Sequence, residues 1–361
     1  MQKTINEMAS YIKGLIPANI PDTYTLKPMF TSISSEDNIR GGVLAFRDFL
    51  YQLYDKLIVD GSLYHNPPVK EETGHTSTAG NYPILYNVKS ILINIGYHGV
   101  LNDKGDALLF SNMESLTISI GPDGGQLRAK ISAPKVIESL RFLAGCGMVF
   151  NGIDLDAKKP DLSKIDLLEI TYPTNSAMLT GLKTMAVAQK ELRYTGDDRN
   201  DDLFLRCDYR VLQDEETDVT TLLKDFVSPL PAKVQDFALK LHQHYLDAGF
   251  KCTANVKYFL VRFAYTYKSH DIWDVAATVN YGYRLFIRAK NTDKYTDVIA
   301  KFPLHLQEKI AKGYGCEKKR FGEDCQHGCH GFSFLLDESI QDISHDLETW
   351  LDTEWSCLRK R

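Results

Sequence analysis

Long apolar runs are missing from this chain. No window approaches the roughly 18 apolar residues that span a bilayer, and the longest stretch, 88–95, is broken by Lys89, Ser90 and Asn94. That argues against a membrane-spanning helix. An excess of basic charge is missing too. With 42 Lys and Arg against 47 Asp and Glu, the formal net charge is -5, which leaves no electrostatic footprint for nucleic acid. The basic LRKR near the C-terminus reads as a solvated tail.

Cysteine is sparse and odd in number. The seven cysteines lie at 146, 207, 252, 316, 325, 329 and 357. A secreted disulfide framework would be denser and even-numbered. The opening MQKTINEMASYIKGLIPANIPD carries neither an apolar h-region nor a small-residue cleavage site. Both features lead to the expectation of a reduced, cytoplasmic protein. Catalytic signatures are also lacking. No G-x-S-x-G elbow, Walker loop, H-E-x-x-H helix or dinucleotide fingerprint occurs. Gly121–Gly125 reads as a turn, because it lacks the strand–loop–helix setting of a phosphate cradle.

What is present is the composition of a folded protein, with 43% hydrophobic and 25% charged residues over 361 positions. Residues 1–35 read as an extended arm. An amphipathic helix follows over 39–59, with Asp37 placed to cap it and Val43, Phe46, Phe49, Leu50, Leu53 and Leu57 on one face. Residues 60–82 form the clearest loop, in which His65 and His75 read as exposed.

From residue 82 a unit recurs in which an amphipathic helix meets glycine and a short strand follows. The breaks fall at Gly96, at Gly145 or Gly147, and at Gly249, where glycine can adopt the left-handed conformation that ends a helix. Strands are expected at LTISI (116–120), LLEIT (167–171), FLRCDYRVL (204–212), YFLVRFAYTY (258–267) and FSFLL (332–336). Residues 275–289 read as a long strand or hairpin with Gly282 near its turn. Helices are expected over 175–193, 295–312 and 337–355. The fold class is therefore α+β: antiparallel or mixed sheets with packed helices, repeated helix–Gly–strand units and an N-terminal helical extension. The organisation expected is an arm, helix and loop over 1–82, one α+β module over 83–225 and a second over 226–361.

One stretch gathers soft ligand groups. GYGCEKKRFGEDCQHGCHGFSF places Cys316, Cys325 and Cys329 beside His327 and His330, among glycines that let short loops wrap an ion. Zinc needs four such donors in a tetrahedron. Three thiolates with His330 or His327 would supply them, and Cys252 or Cys207 could equally complete the set. The expectation is a structural zinc (Zn2+) site. Cys325 and Cys329 could instead form a redox pair, with Lys318, Lys319 and Arg320 favouring thiolate, or simply fill a tight turn.

Weaker candidates are bounded by their spacing. Asp197, Asp198, Asp201 and Asp202 lack the glycine and terminal Glu of a calcium loop and read as surface. His242 and His244 are two apart on a helix and do not share a face. Aromatics gather over 258–283 with Trp273, as core and sheet surface or as the lining of a small-molecule pocket. Among them Arg262, Arg284 and Arg288 could pair with an acidic ligand or with sheet neighbours.

The ending YGCEKKRFGEDCQHGCHGFSFLLDESIQDISHDLETWLD, with FLRCDYRVL, ITYPTNSAMLTGLKTMA and YGYRLFIRAKN, resembles a family of uncharacterised bacterial cytosolic proteins with a C-terminal YGC-x8-C-x3-CHGF motif. The likeness covers most of 82–355. It implies no activity and assigns no residue a role. Taken together, the sequence predicts a non-catalytic cytoplasmic protein binding a small molecule or protein partner, with the structural zinc site. The alternative is a cysteine- or metal-dependent enzyme using the same cluster.

Overall fold

In a computed structural model, residues 4–61, 83–121, 125–158, 160–192, 203–257, 260–278, 282–312 and 332–359 are described. The fold is α+β, with packed helices and three sheets in which every described pairing is antiparallel. The chain divides into two compact units. The first comprises 1–217 with 257–259, and the second 218–256 with 260–361.

The first unit begins with helix α1 (Ile5–Leu15), which starts at a capping box. Thr4 accepts from the Glu7 amide while the Glu7 carboxylate accepts from the Thr4 amide. Helix α2 (Glu36–Asp60) is capped by Ser35, two residues ahead of the expected Asp37. Ser35 wins because its hydroxyl accepts from the Asn38 amide, whereas Asp37 lies inside the first turn and pairs with Arg40. Helix α3 (Pro83–His98) and helix α5 (Ala177–Glu191) complete a core in which α5 packs on both α2 and α3.

Glycine sets these crossings. Gly96 does not end its helix, as its spacing suggested, but lies within α3 facing α5. A Cβ there would come within 2.7 Å of the Ala186 Cβ and 2.8 Å of the Leu182 carbonyl oxygen. Gly147 and Gly249, with φ of +94° and +84°, do take the left-handed turn after their helices, α4 (Ala133–Ala144) and α7 (Ala232–Asp247).

Strands β1 (Val100–Leu101), β2 (Ala107–Phe110), β5 (Val149–Asn151) and β6 (Leu168–Thr171) form a sheet in the order β1-β2-β6-β5. Strands β3 (Ile118–Ile120) and β4 (Gln126–Lys130) pair separately. The expected strand 116–120 starts late, because Met113–Thr117 is a 3-10 turn capped by Asn112. The expected strand 204–212 is absent. Residues 203–208 run as buried turns, followed by a 3-10 turn at Tyr209–Leu212. The cause is local. The buried Asp208 carboxylate binds Arg210 at 2.6 Å and Arg206 at 3.4 Å, folding the chain across two residues on either side, with Cys207 at a φ of +46°. Burial alone would raise the Asp208 carboxyl, but Arg210 and Arg206 hold it below its ordinary value.

The second unit is a five-stranded antiparallel sheet with helices. Helix α6 (Val219–Val227) is capped by Asp218, and α7 follows it. The sheet order is β11-β10-β9-β8-β7, with β7 Lys251–Lys257, β8 Leu260–Tyr267, β9 His270–Thr278, β10 Gly282–Ile287 and β11 Phe332–Leu335. Lys268 and Ser269, both at positive φ, make the two-residue turn between β8 and β9, matching the twist of the strands they join. The helix expected over 295–312 is split into α8 (Thr296–Ile299) and α9 (Leu304–Ala311). Pro303, which has no amide hydrogen to donate, begins the second piece. The closing helix α10 (Ser344–Arg359) follows a 3-10 segment, Glu338–Ile343.

Candidate functional site

The sheet of the second unit has two different faces. Antiparallel partners point the same way, so the register assigns each side chain. Tyr265, Trp273, Ile287 and Phe332 form one row, and Phe263, Val275, Leu285 and Phe334 the next. These residues are buried. Trp273 lies 5.5 Å from Tyr245 of α7, and Trp350 of α10 lies 4.8 Å from Phe332. Trp273 also stacks on Tyr265 at 3.6 Å with the rings nearly parallel. The described aromatics on this face are buried in the core.

The opposite face carries charge. Arg262, Ala276, Arg284 and Leu335 form one row, and Ala264, Asp274, Phe286 and Ser333 the next. Arg288 extends the ladder, its amide donating to the Ile272 carbonyl at 2.7 Å. Asp274 is 1% exposed and collects two guanidiniums. One carboxylate oxygen accepts from Arg262 Nη2 at 3.1 Å and from Arg288 Nε at 2.8 Å, with Arg288 Nη2 at 2.7 Å. Arg284 Nη1 donates to the Ser333 hydroxyl at 2.7 Å. Arg262 Nη2 also lies 3.5 Å from Asp271, a half-exposed carboxylate at the margin.

This geometry favours an anion. Arg262 and Arg288 both bind the buried Asp274, and Arg262 also reaches the half-exposed Asp271. Guanidiniums are the groups best shaped to bind carboxylate or phosphate through two parallel bonds. Asp274 holds two of them in fixed positions before any ligand arrives, which removes much of the ordering cost. Arg262 Nε, a buried donor, has no hydrogen-bond acceptor among the described residues. Such a donor costs free energy until an acceptor reaches it. The sequence singled out the three arginines but not Asp274 or Ser333. Its one signal was a carboxylate inside the otherwise apolar IWDVAAT.

The other expected ligands are distributed differently. Cys316, Cys325, Cys329, His327 and His330 lie outside the described residues, as do His65, His75 and Asp197, Asp198, Asp201 and Asp202. Cys207 belongs to the first unit, where its thiol lies 3.6 Å from the Val43 carbonyl and is pushed well up by burial. Cys252 belongs to the second, half-buried on β7, and burial pushes its thiol up to about 11. Among the described residues, no group of three or more His, Cys, Asp or Glu is disposed to hold a metal ion.

His242 and His244 part company as their spacing requires. His242 is buried, its Nδ1 2.7 Å from the Tyr265 hydroxyl and its Nε2 3.0 Å from the Thr220 hydroxyl. His244 is more exposed and lies 3.3 Å from Asp352. No described helix is long and apolar enough to cross a membrane.

Comparison of the chain with family models, with curated proteins and with solved structures finds no match.

Proposed function

We propose that this chain is a non-catalytic binding protein whose second unit receives the phosphate or carboxylate of a small molecule on its arginine face. The two guanidiniums held on buried Asp274, with Arg262 Nε left without an acceptor among the described residues, carry the reading. Arg262 and Arg288 are both held on Asp274, and Arg284 donates to the Ser333 hydroxyl. Guanidiniums held in place orient and retain an anion, so binding is the chemistry they suit.

Titration calorimetry at constant ionic strength tests this, with inorganic phosphate and succinate as probes and chloride as the reference. Wild type is expected to bind at least one probe, and Arg284→Gln to weaken it about tenfold, the size of one lost charge-assisted bond. Heats indistinguishable from chloride for both probes would overturn the reading.

The C-terminal cluster belongs to the same proposal. Cys316, Cys325 and Cys329, with His330 or His327, are read as a structural zinc site on their donor chemistry alone. Near-stoichiometric zinc in the purified protein, lost in Cys325→Ser, is the expected result. Metal-free protein with intact thiols would remove this part and leave the arginine face standing. A cytoplasmic location and kinship with the family carrying the C-terminal motif rest on the sequence features already given.

A further inference from the structure

The first unit holds a cleft that the arginine face does not explain. It has a volume of about 200 Å3 and lies between one face of α2 and the loop that leads from β6 into α5. Ala45, Asp48, Phe49 and Gln52 line it from the helix, and Tyr172, Thr174 and Asn175 from the loop. The helix spacing of three and four brings the first group onto one stripe.

The wall is polar and already ordered. The Tyr172 hydroxyl donates to Gln52 Oε1 at 2.8 Å, and its ring stands edge-on to Phe49 at 5.5 Å. Asn175 is fixed by accepting from the Ala177 amide at 3.2 Å. Asp48 is the one ionised group in the lining, and Arg47 answers its charge through bonds of 3.1 and 3.2 Å to a single carboxylate oxygen. The cleft is therefore close to neutral, and a cation finds no uncompensated charge in it.

What remains is a set of flat polar groups, one carboxylate and two carboxamides, with two hydroxyls and an aromatic floor. Each flat group presents paired donors or acceptors to one side. Adjacent hydroxyls on a compact ring match that spacing, and the aromatic floor accepts the ring's C–H face. Pockets for drug-sized ligands run to about 300–1,000 Å3, so the occupant here is smaller. We propose that this cleft binds a small neutral polyhydroxy molecule of monosaccharide size.

Saturation-transfer NMR with D-glucose, D-galactose and D-mannose, each to about 50 mM, tests the assignment at the weak affinities expected of few contacts. Methylammonium is the cation probe. The result expected is saturable transfer from at least one sugar. Gln52→Ala, an exposed position, should weaken it about tenfold, and so should Tyr172→Phe, which keeps the ring. Arg284→Gln should leave it unchanged. No saturable transfer from any sugar would overturn the assignment. So would binding of methylammonium in place of the sugars, or sugar binding that both cleft variants leave intact.

Discussion

Gly42 of α2 and Gly181 of α5 meet backbone to backbone: a Cβ on Gly181 would lie 2.0 Å from the Gly42 carbonyl oxygen. No side chain fits there, so the crossing exists only because both residues are glycine. Gly181→Ala should push the helices apart and cost at least about 2–3 kcal/mol, at the upper end for an overpacked core. Gly41, one residue away, is exposed with nothing within 4 Å of its would-be Cβ. Gly41→Ala should instead stabilise α2 by about 0.5–1 kcal/mol, the usual helix gain of alanine over glycine. Urea unfolding of the two variants checks both signs. Equal effects would show that the helices do not cross at this point.

Glu354 anchors the loop after β10 from inside the second unit. Its carboxylate, 1% exposed, accepts from the amides of Lys290 and Asn291, from Asn291 Nδ2 and from the Tyr295 hydroxyl. Glu354→Ala strands these donors together and should cost about 3–5 kcal/mol. Glu354→Gln, which keeps the shape but turns an amide donor toward other donors, should cost less. A loss under about 1 kcal/mol for the alanine variant would contradict the clamp.

Histidine burial sets a pH dependence. Burial lowers the His242 pKa below its ordinary 6.5, opposed in part by Asp218. The folded state thus prefers the neutral ring, and the unfolded state binds more protons. Stability from this source is complete above 6.5 and is lost as pH falls from there through the folded value. His98 is lowered by burial as well, so the comparison must be with His242→Asn, in which only the His242 contribution is gone. Between about pH 7.5 and 5 the urea midpoint of wild type should fall more steeply than that of the variant. Parallel slopes would refute the assignment.

These examples show what was legible in the sequence. The helix over 36–60 announced itself through Val43, Phe46, Leu50 and Leu57, because one buried face imposes a spacing of three and four. The strands of the second unit were legible for the matching reason, a sheet with different faces. Gly96 misled because an inward glycine at a helix crossing and a glycine ending a helix look alike in one dimension. Residues 204–212 misled because buried turns bury side chains on every side, so β-branched and aromatic content no longer reports a strand. Arg262, Arg284 and Arg288 could be named in advance. The meeting of Arg262 and Arg288 at Asp274 is set by strand register, which no local pattern encodes.

Thiol reactivity separates the binding reading from the enzyme reading. Burial pushes Cys146 up to about 12, against the pull of Lys56, and Cys252 up to about 11. At neutral pH only a minute fraction of either is thiolate. Alkylation mapped by mass spectrometry should find both among the slowest sites, released by urea. Fast labelling of either in the folded protein would contradict the burial. Fast, single-site labelling at Cys316, Cys325 or Cys329 would favour a cysteine-dependent activity.

The arginine face is tested most directly at Arg262 itself. Its side-chain Nε–H, a buried donor lacking an acceptor among the described residues, gives an NMR resonance assignable by its disappearance in Arg262→Lys. Titrating phosphate at constant ionic strength should move that resonance downfield and slow its exchange with water as the donor finds an oxygen. A resonance that stays in place through the titration, with succinate doing no better, would contradict anion binding at this face.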